Sequence, residues 1–127
     1  MDTIEHAGAV TENECPIVYL LGLLSTRWAL PVLFTLHQAK GPVRFGQLQR
    51  SVGRVTQKEL TKTLREFEAR GFCLRKVYAE VPPRVEYSLT PLGESLRGPL
   101  DSLAGWVHEH GHKVSGCESH SNRFKQN

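Results

Sequence analysis

Long apolar runs are missing from this sequence of 127 residues. No stretch reaches the 18 residues that a membrane-spanning helix needs, and the opening MDTIEHAG has no basic segment followed by an apolar one. Neither a membrane span nor a signal peptide is expected, and the expected location is the cytoplasm. Cysteine is scarce: Cys15, Cys73 and Cys117 stand far apart, and an odd, dispersed set argues against a disulfide framework. Cys-x-x-Cys, His-Glu-x-x-His and glycine-rich phosphate loops do not occur, nor does any internal repeat. His6, His37 and the C-terminal histidines do not cluster with a Ser or Cys. The oriented nucleophile and base of covalent catalysis thus have no basis here, and an enzyme is not expected.

Positive charge is absent from residues 1–25, which hold four acids and no Lys or Arg. It gathers instead in residues 40–76, with ten Lys or Arg against three acids, while residues 77–127 come to −1. A basic middle between less basic ends is the footprint of a face that binds a polyanion. The length suits one domain with a modest core, helped by a partner chain.

The stretch TQKELTKTLREFEARG, from Thr56 to Gly71, organises the rest. Thr56 and Glu59 stand in capping-box spacing, and Leu60, Leu64 and Phe67 form one helical stripe. Gly71 is suited to the left-handed position beyond the helix end. With that stripe buried, Gln57, Lys58, Thr61, Lys62 and Arg65 lie wholly or partly outward, where they can meet phosphates or base edges. An ordinary solvated helix face would show the same pattern, so the neighbouring segments decide.

Residues 1–13 have little apolar periodicity and are expected to be a flexible arm. A helix is predicted over Cys15 to Leu24, apolar nearly all round, which a small protein covers most simply with a second subunit. A second helix, Arg27 to Gln38, would be capped by Ser25 or Thr26, with Pro31 disturbing its first turns. Lys40-Gly41-Pro42 ends it, Val43 begins a strand edge, and Phe45 to Val52 forms a third helix. Helix, short turn, helix with basic residues outward is the helix-turn-helix layout.

After Gly71 the period falls to two. Phe72, Leu74 and Lys76 alternate with Cys73, Arg75 and Val77 in a strand to Tyr78; Arg84 to Leu89 returns after AEVPP. Two strands around a tip stiffened by Pro82 and Pro83 make a wing. Arg84 beside that tip suits a phosphate or a narrow minor groove, and suits equally a salt bridge to Glu80 or Glu86. Thr90-Pro91 opens a long helix to about His110, with a stripe of Leu92, Leu96, Leu100, Leu103 and Val107 and a bend at Gly98-Pro99. It would pair with the first helix in a dimer. Residues 112–127 are expected to form a flexible polar tail. His108, His110, His112, Cys117 and His120 are ligand-type residues, but histidines two apart on a helix project about 200° from each other. No metal and no cofactor is expected.

At this point the chain resembles the HxlR-type winged-helix transcriptional regulators. The matching features are Cys15-Pro16, Arg27-Trp28, RFGQL from Arg44, the run from Thr56 to Gly71, and VYAEVPPRVEYSLTPLG from Val77 to Gly93. The resemblance covers roughly residues 14–110 and departs at Leu24 to Thr26 and at Pro31. It implies an α+β fold, a winged helix-turn-helix over 14–111 with additional N- and C-terminal dimerisation helices. It implies a homodimer whose recognition helix, Thr56 to Arg70, enters the major groove of double-stranded DNA at an imperfect inverted repeat. The DNA-binding residues are then Arg44, Gln57, Lys58, Thr61, Lys62, Arg65 and Arg84. Some members of that family sense oxidants, quinones or aldehydes through a cysteine just before the first helix, which matches Cys15. Redox sensing would run through Cys15 and Cys117, with an oxidant or small molecule as effector. The alternative is a protein-binding adaptor on the same scaffold, favoured if the outer face of residues 57–65 were neutral or acidic.

Overall fold

The computed structural model describes residues 16–114. Helices α1 (Pro16–Leu24) and α2 (Ala29–Ala39) lead into a short strand β1 (Val43–Arg44). Helices α3 (Phe45–Val52) and α4 (Gln57–Ala69) follow, then strands β2 (Cys73–Tyr78) and β3 (Arg84–Leu89). Helices α5 (Pro91–Ser95) and α6 (Arg97–His110) complete the order, with a 3₁₀ turn over Gly111–Lys113. The antiparallel sheet runs β1-β3-β2, pairing Val43 with Tyr87 and Cys73 with Leu89. This is an α+β winged helix-turn-helix with flanking helices.

The core sits where α2, α3 and α4 meet the sheet. Val32, Leu33, Leu48, Leu60, Leu64 and Phe67 are fully buried within it. The stripe on α4 is therefore its inward face, and its polar residues are left outward.

Both ends of α4 are secured by local hydrogen bonds. The Thr56 hydroxyl accepts from the Glu59 N–H at 3.1 Å, and Glu59 Oε1 accepts from the Thr56 N–H at 3.0 Å. At the other end Gly71 takes φ 84°. That turn lets the Phe72 N–H reach the Phe67 carbonyl at 2.8 Å and the Gly71 N–H reach Glu68 at 3.1 Å. The rings of Phe67 and Phe72 meet edge to face at 6.3 Å across the same turn.

Three expectations need correction. Ser25 and Thr26 do not cap α2: their hydroxyls donate back to the carbonyls of Gly22 and Leu23, each at 3.0 Å. The helix starts later, at Ala29, with Trp28 at its cap position. Pro31 is consequently in the first turn, where its missing N–H would have had no helical partner. The C-terminal helix does not run unbroken from Pro91, because Pro99 cannot donate to the Ser95 carbonyl and the helix divides at Leu96. On β2 the residue turned inward is Cys73, while Leu74 and Val77 are more than half exposed.

Thr90 and Gly93 fasten α5 to the winged unit. The Thr90 hydroxyl accepts from the Gly93 N–H at 3.0 Å, and Thr90 N–H donates to the Phe72 carbonyl at 3.0 Å. Gly93 is packed so tightly that an added Cβ would overlap the Phe72 carbonyl. Its own carbonyl accepts from Nε2 of the buried His37 at 3.0 Å, a link from α2 to α5 that the sequence does not suggest.

Apolar side chains remain uncovered on α1, α5 and α6. Ile17, Val18 and Leu21 are exposed on one, and Leu92, Leu103, Trp106 and Val107 on the others. No single helix of the described residues is long and apolar enough to cross a membrane. The expected arm over residues 1–13 lies outside the described residues, as do Cys15, Cys117, His120 and the tail from residue 115.

Candidate nucleic-acid interface

Residues Gln57, Thr61 and Arg65 are four apart along α4, so they share one face. That face looks across an open groove of about 540 Å³ at the wing. Arg44 lines the groove from β1, and Arg84 from the wing beside Pro82 and Pro83. Five of the expected DNA-binding residues thus converge on one surface.

The remaining two lie elsewhere on the helix. Lys58 is exposed on α4 without lining this groove. Lys62 borders a second groove of about 440 Å³, shared with Arg27 and Trp28 at the α1–α2 turn. A 100° step per residue accounts for this: positions 58 and 62 are one step round the helix from 57 and 61.

Arg75, which was not singled out from the sequence, also lines the main groove, as does Glu80, expected there only as a salt-bridge partner of Arg84. Arg75 pairs with Tyr87 across the sheet, on the same face as the buried Cys73. Period-two counting from Cys73, rather than from Phe72 and Leu74, would have found it. The groove carries four arginines, Arg44, Arg65, Arg75 and Arg84, against a single carboxylate, Glu80. Such a balance favours a polyanion, and the helix face supplies an amide and a hydroxyl able to read base edges.

Arg84 is held from three sides. Its Nη2 lies 3.1 Å from Glu80 Oε2, its Nε lies 3.6 Å from Glu86 Oε2, and its guanidinium stacks 3.9 Å from the Tyr78 ring centre. Both salt bridges anticipated as alternatives are therefore made together. The buried Nε reaches no acceptor at hydrogen-bond distance.

The start of α4 is set electrostatically as well. The Thr56 N–H holds the Glu59 carboxyl below its ordinary value, helped by the Trp28 indole and the charge of Arg27. The buried indole nitrogen reaches no partner at hydrogen-bond distance, so the Thr56 N–H is the bond that holds the carboxylate.

Cys73 has the opposite character. Burial, reinforced by the charge of Glu68, pushes its thiol up to about 12. Its Sγ donates weakly to the Leu64 carbonyl at 3.8 Å. A protonated, enclosed thiol is a poor nucleophile. Among the described residues, no three His, Cys, Asp or Glu side chains come together to hold a metal.

Comparison with known proteins agrees with this geometry. The HxlR-like helix-turn-helix family profile matches residues 23–115. The HTH-type transcriptional regulator BH0655 of Halalkalibacterium halodurans is 37% identical over 107 residues, covering 84% of this chain and 94% of that protein. The transcriptional regulator ytfH of Salmonella typhimurium superposes with a TM-score of 0.66 at 38% identity, over 80% of this chain and 89% of that one. The reduced form of the transcriptional regulator YodB from B. subtilis superposes with a TM-score of 0.66 at 30% identity, over 73% and 90%. YodB has also been solved after diamide treatment. The arginine-lined groove between helix and wing, the strand order and these likenesses agree, and the chain belongs to the HxlR-like helix-turn-helix family of DNA-binding transcriptional regulators.

Proposed function

We propose that this chain acts as a homodimer that binds an imperfect inverted repeat in double-stranded DNA. Helix α4 enters the major groove and the wing lies along the flanking minor groove. The observation that carries this reading is the groove in which Gln57, Thr61 and Arg65 face Arg44, Arg75 and Arg84. Gln57, Thr61 and Arg65 are the base readers, while Lys58, Lys62 and Arg84 hold phosphates or the minor-groove edge. The exposed apolar residues of α1 and α6 supply the dimer contact. In a twofold dimer, half-site centres fall about one helical turn, roughly 34–36 Å, apart.

The regulatory input belongs to Cys15, through its alkylation or through a disulfide to the partner's Cys117 or Cys15. Cys15 immediately precedes Pro16, the first residue of α1, where exposed helix amides favour a thiolate. The existence of reduced and diamide-treated forms of YodB supports an oxidant as the signal. Cys73 is too enclosed for that role.

Sedimentation of the free protein, followed by footprinting on duplexes selected from a random pool, tests the reading. A dimer at micromolar concentration protecting two symmetric half-sites is expected. A stable monomer, or protection of one asymmetric half-site, overturns it.

A further inference from the structure

Glu80 is out of place on a surface built for a polyanion. It is the one carboxylate lining the groove between α4 and the wing, and its side chain is about half exposed. It sits 3.1 Å from Arg84, whose own side chain is largely covered. Glu86, on β3, is more enclosed still and stands 3.6 Å from the same guanidinium. In the sheet Glu86 is paired with Lys76 on one side and Arg44 on the other. The two acids therefore differ in what they can do: one is fixed within the sheet, the other is at the loop edge of the groove.

From this arrangement, and resting on the reading of the groove as a DNA interface, we infer that Glu80 is a specificity-determining residue. It acts as a built-in competitor for Arg84. Glu86 and the Tyr78 ring orient the guanidinium, and Glu80 neutralises it until a phosphate or narrow-groove edge takes its place. Any duplex must displace Glu80 to use Arg84, and only a duplex of the right shape brings an acceptor close enough to complete the exchange. The same carboxylate repels phosphates that approach the groove out of register.

The test compares wild type, Glu80→Gln, Arg84→Gln and the double variant on two duplexes of equal length. One duplex is selected by the wild type from a random pool and the other has random sequence. Glu80→Gln should tighten binding to the random duplex by roughly two- to fivefold, the scale of one part-exposed ion pair. It should tighten binding to the selected duplex less, so the specificity ratio falls. In the Arg84→Gln background that gain should largely vanish. An equal gain in both backgrounds would make Glu80 a mere like charge, and a gain confined to the selected duplex would reverse its role; either overturns the proposal. Exchange of the Arg84 Hη protons, followed by NMR in the free protein, separates this inference from the reading beneath it, because Nη2 is the atom that meets Glu80. Slow exchange that quickens in Glu80→Gln establishes the clamp without DNA, and exchange unchanged by the substitution refutes it. A wild type that holds no duplex in a salt-dependent way removes the DNA reading and the competitor role together, whatever the Hη signal shows.

Discussion

The Thr90 hydroxyl donates to the Gly71 carbonyl at 2.6 Å, joining the turn just beyond α4 to the residue that caps α5. The same oxygen accepts from the Gly93 N–H, so one side chain serves the turn and the cap at once. Thr90→Val keeps the shape but loses both bonds, and should cost about 1–2 kcal/mol. Thr90→Ser should recover most of that in a thermal melt.

Gly93 should tolerate no side chain. In Gly93→Ala the new Cβ meets a backbone carbonyl that cannot rotate away, and the His37 bond to Gly93 is disturbed with it. A loss of roughly 2–3 kcal/mol is expected from overpacking of this kind. Chemical denaturation with an unchanged m-value would place the effect in the folded state.

The capping box makes α4 sensitive to acid. The Glu59 carboxyl is held below its ordinary value of 4.5 in the folded chain, so its contribution is present above that pH and lost as pH falls below it. Stability curves for wild type and Glu59→Gln should therefore converge below about 4.5. Thr56→Ala should cost about 1 kcal/mol at neutral pH.

The DNA contacts should separate by kind. Arg65→Ala, inside the groove, should cost about 1–3 kcal/mol on the selected duplex and relax preference at one base position. Lys62→Ala should weaken all duplexes alike and reduce the salt slope by about 0.9. An unchanged slope for Lys62→Ala would mean that the side chain stays on the α1–α2 side and never meets DNA.

Thiol chemistry should divide the cysteines. Cys73, enclosed and pushed up to about 12, should not react with a thiol reagent in the native protein at pH 8 but should react on unfolding. Because the folded thiol keeps its proton after an unfolded one has lost it, stability should fall as pH rises from about 9 toward 12. In DNA-binding titrations with diamide or a quinone, wild type should lose affinity and Cys15→Ser should keep it. Equal responses would remove Cys15 as the trigger.

Much of this arrangement could be read from residue spacing because the decisive bonds are local. Thr56 and Glu59 are three residues apart and close on each other, so both the start and the inward face of α4 were legible. The bounds of α3, Phe45–Val52, follow equally from nearby signals. The break at Leu96 was displaced from the expected bend because a proline acts on the carbonyl four residues before it. The false cap at Ser25 and Thr26 arose because a hydroxyl can bond backward as readily as forward. Contacts between distant segments left no local trace. His37 meets Gly93 across 56 positions, and nothing in either neighbourhood announces the other. Arg84 was legible as a candidate together with both of its carboxylates, but only three-dimensional placement shows that it holds them simultaneously.

The division at Leu96 gives the molecule a lever. Helix α5 is tied to the reading unit through Thr90, Gly93 and His37, whereas α6 leaves beyond the break carrying Leu103, Trp106 and Val107 toward the proposed partner. Its 14 residues span about 21 Å at 1.5 Å each. A tilt of about 10° at the break thus carries the far end roughly 3–4 Å, close to the rise of one base pair. A change too small to disturb either folded half would be enough to put two reading heads out of phase with the double helix.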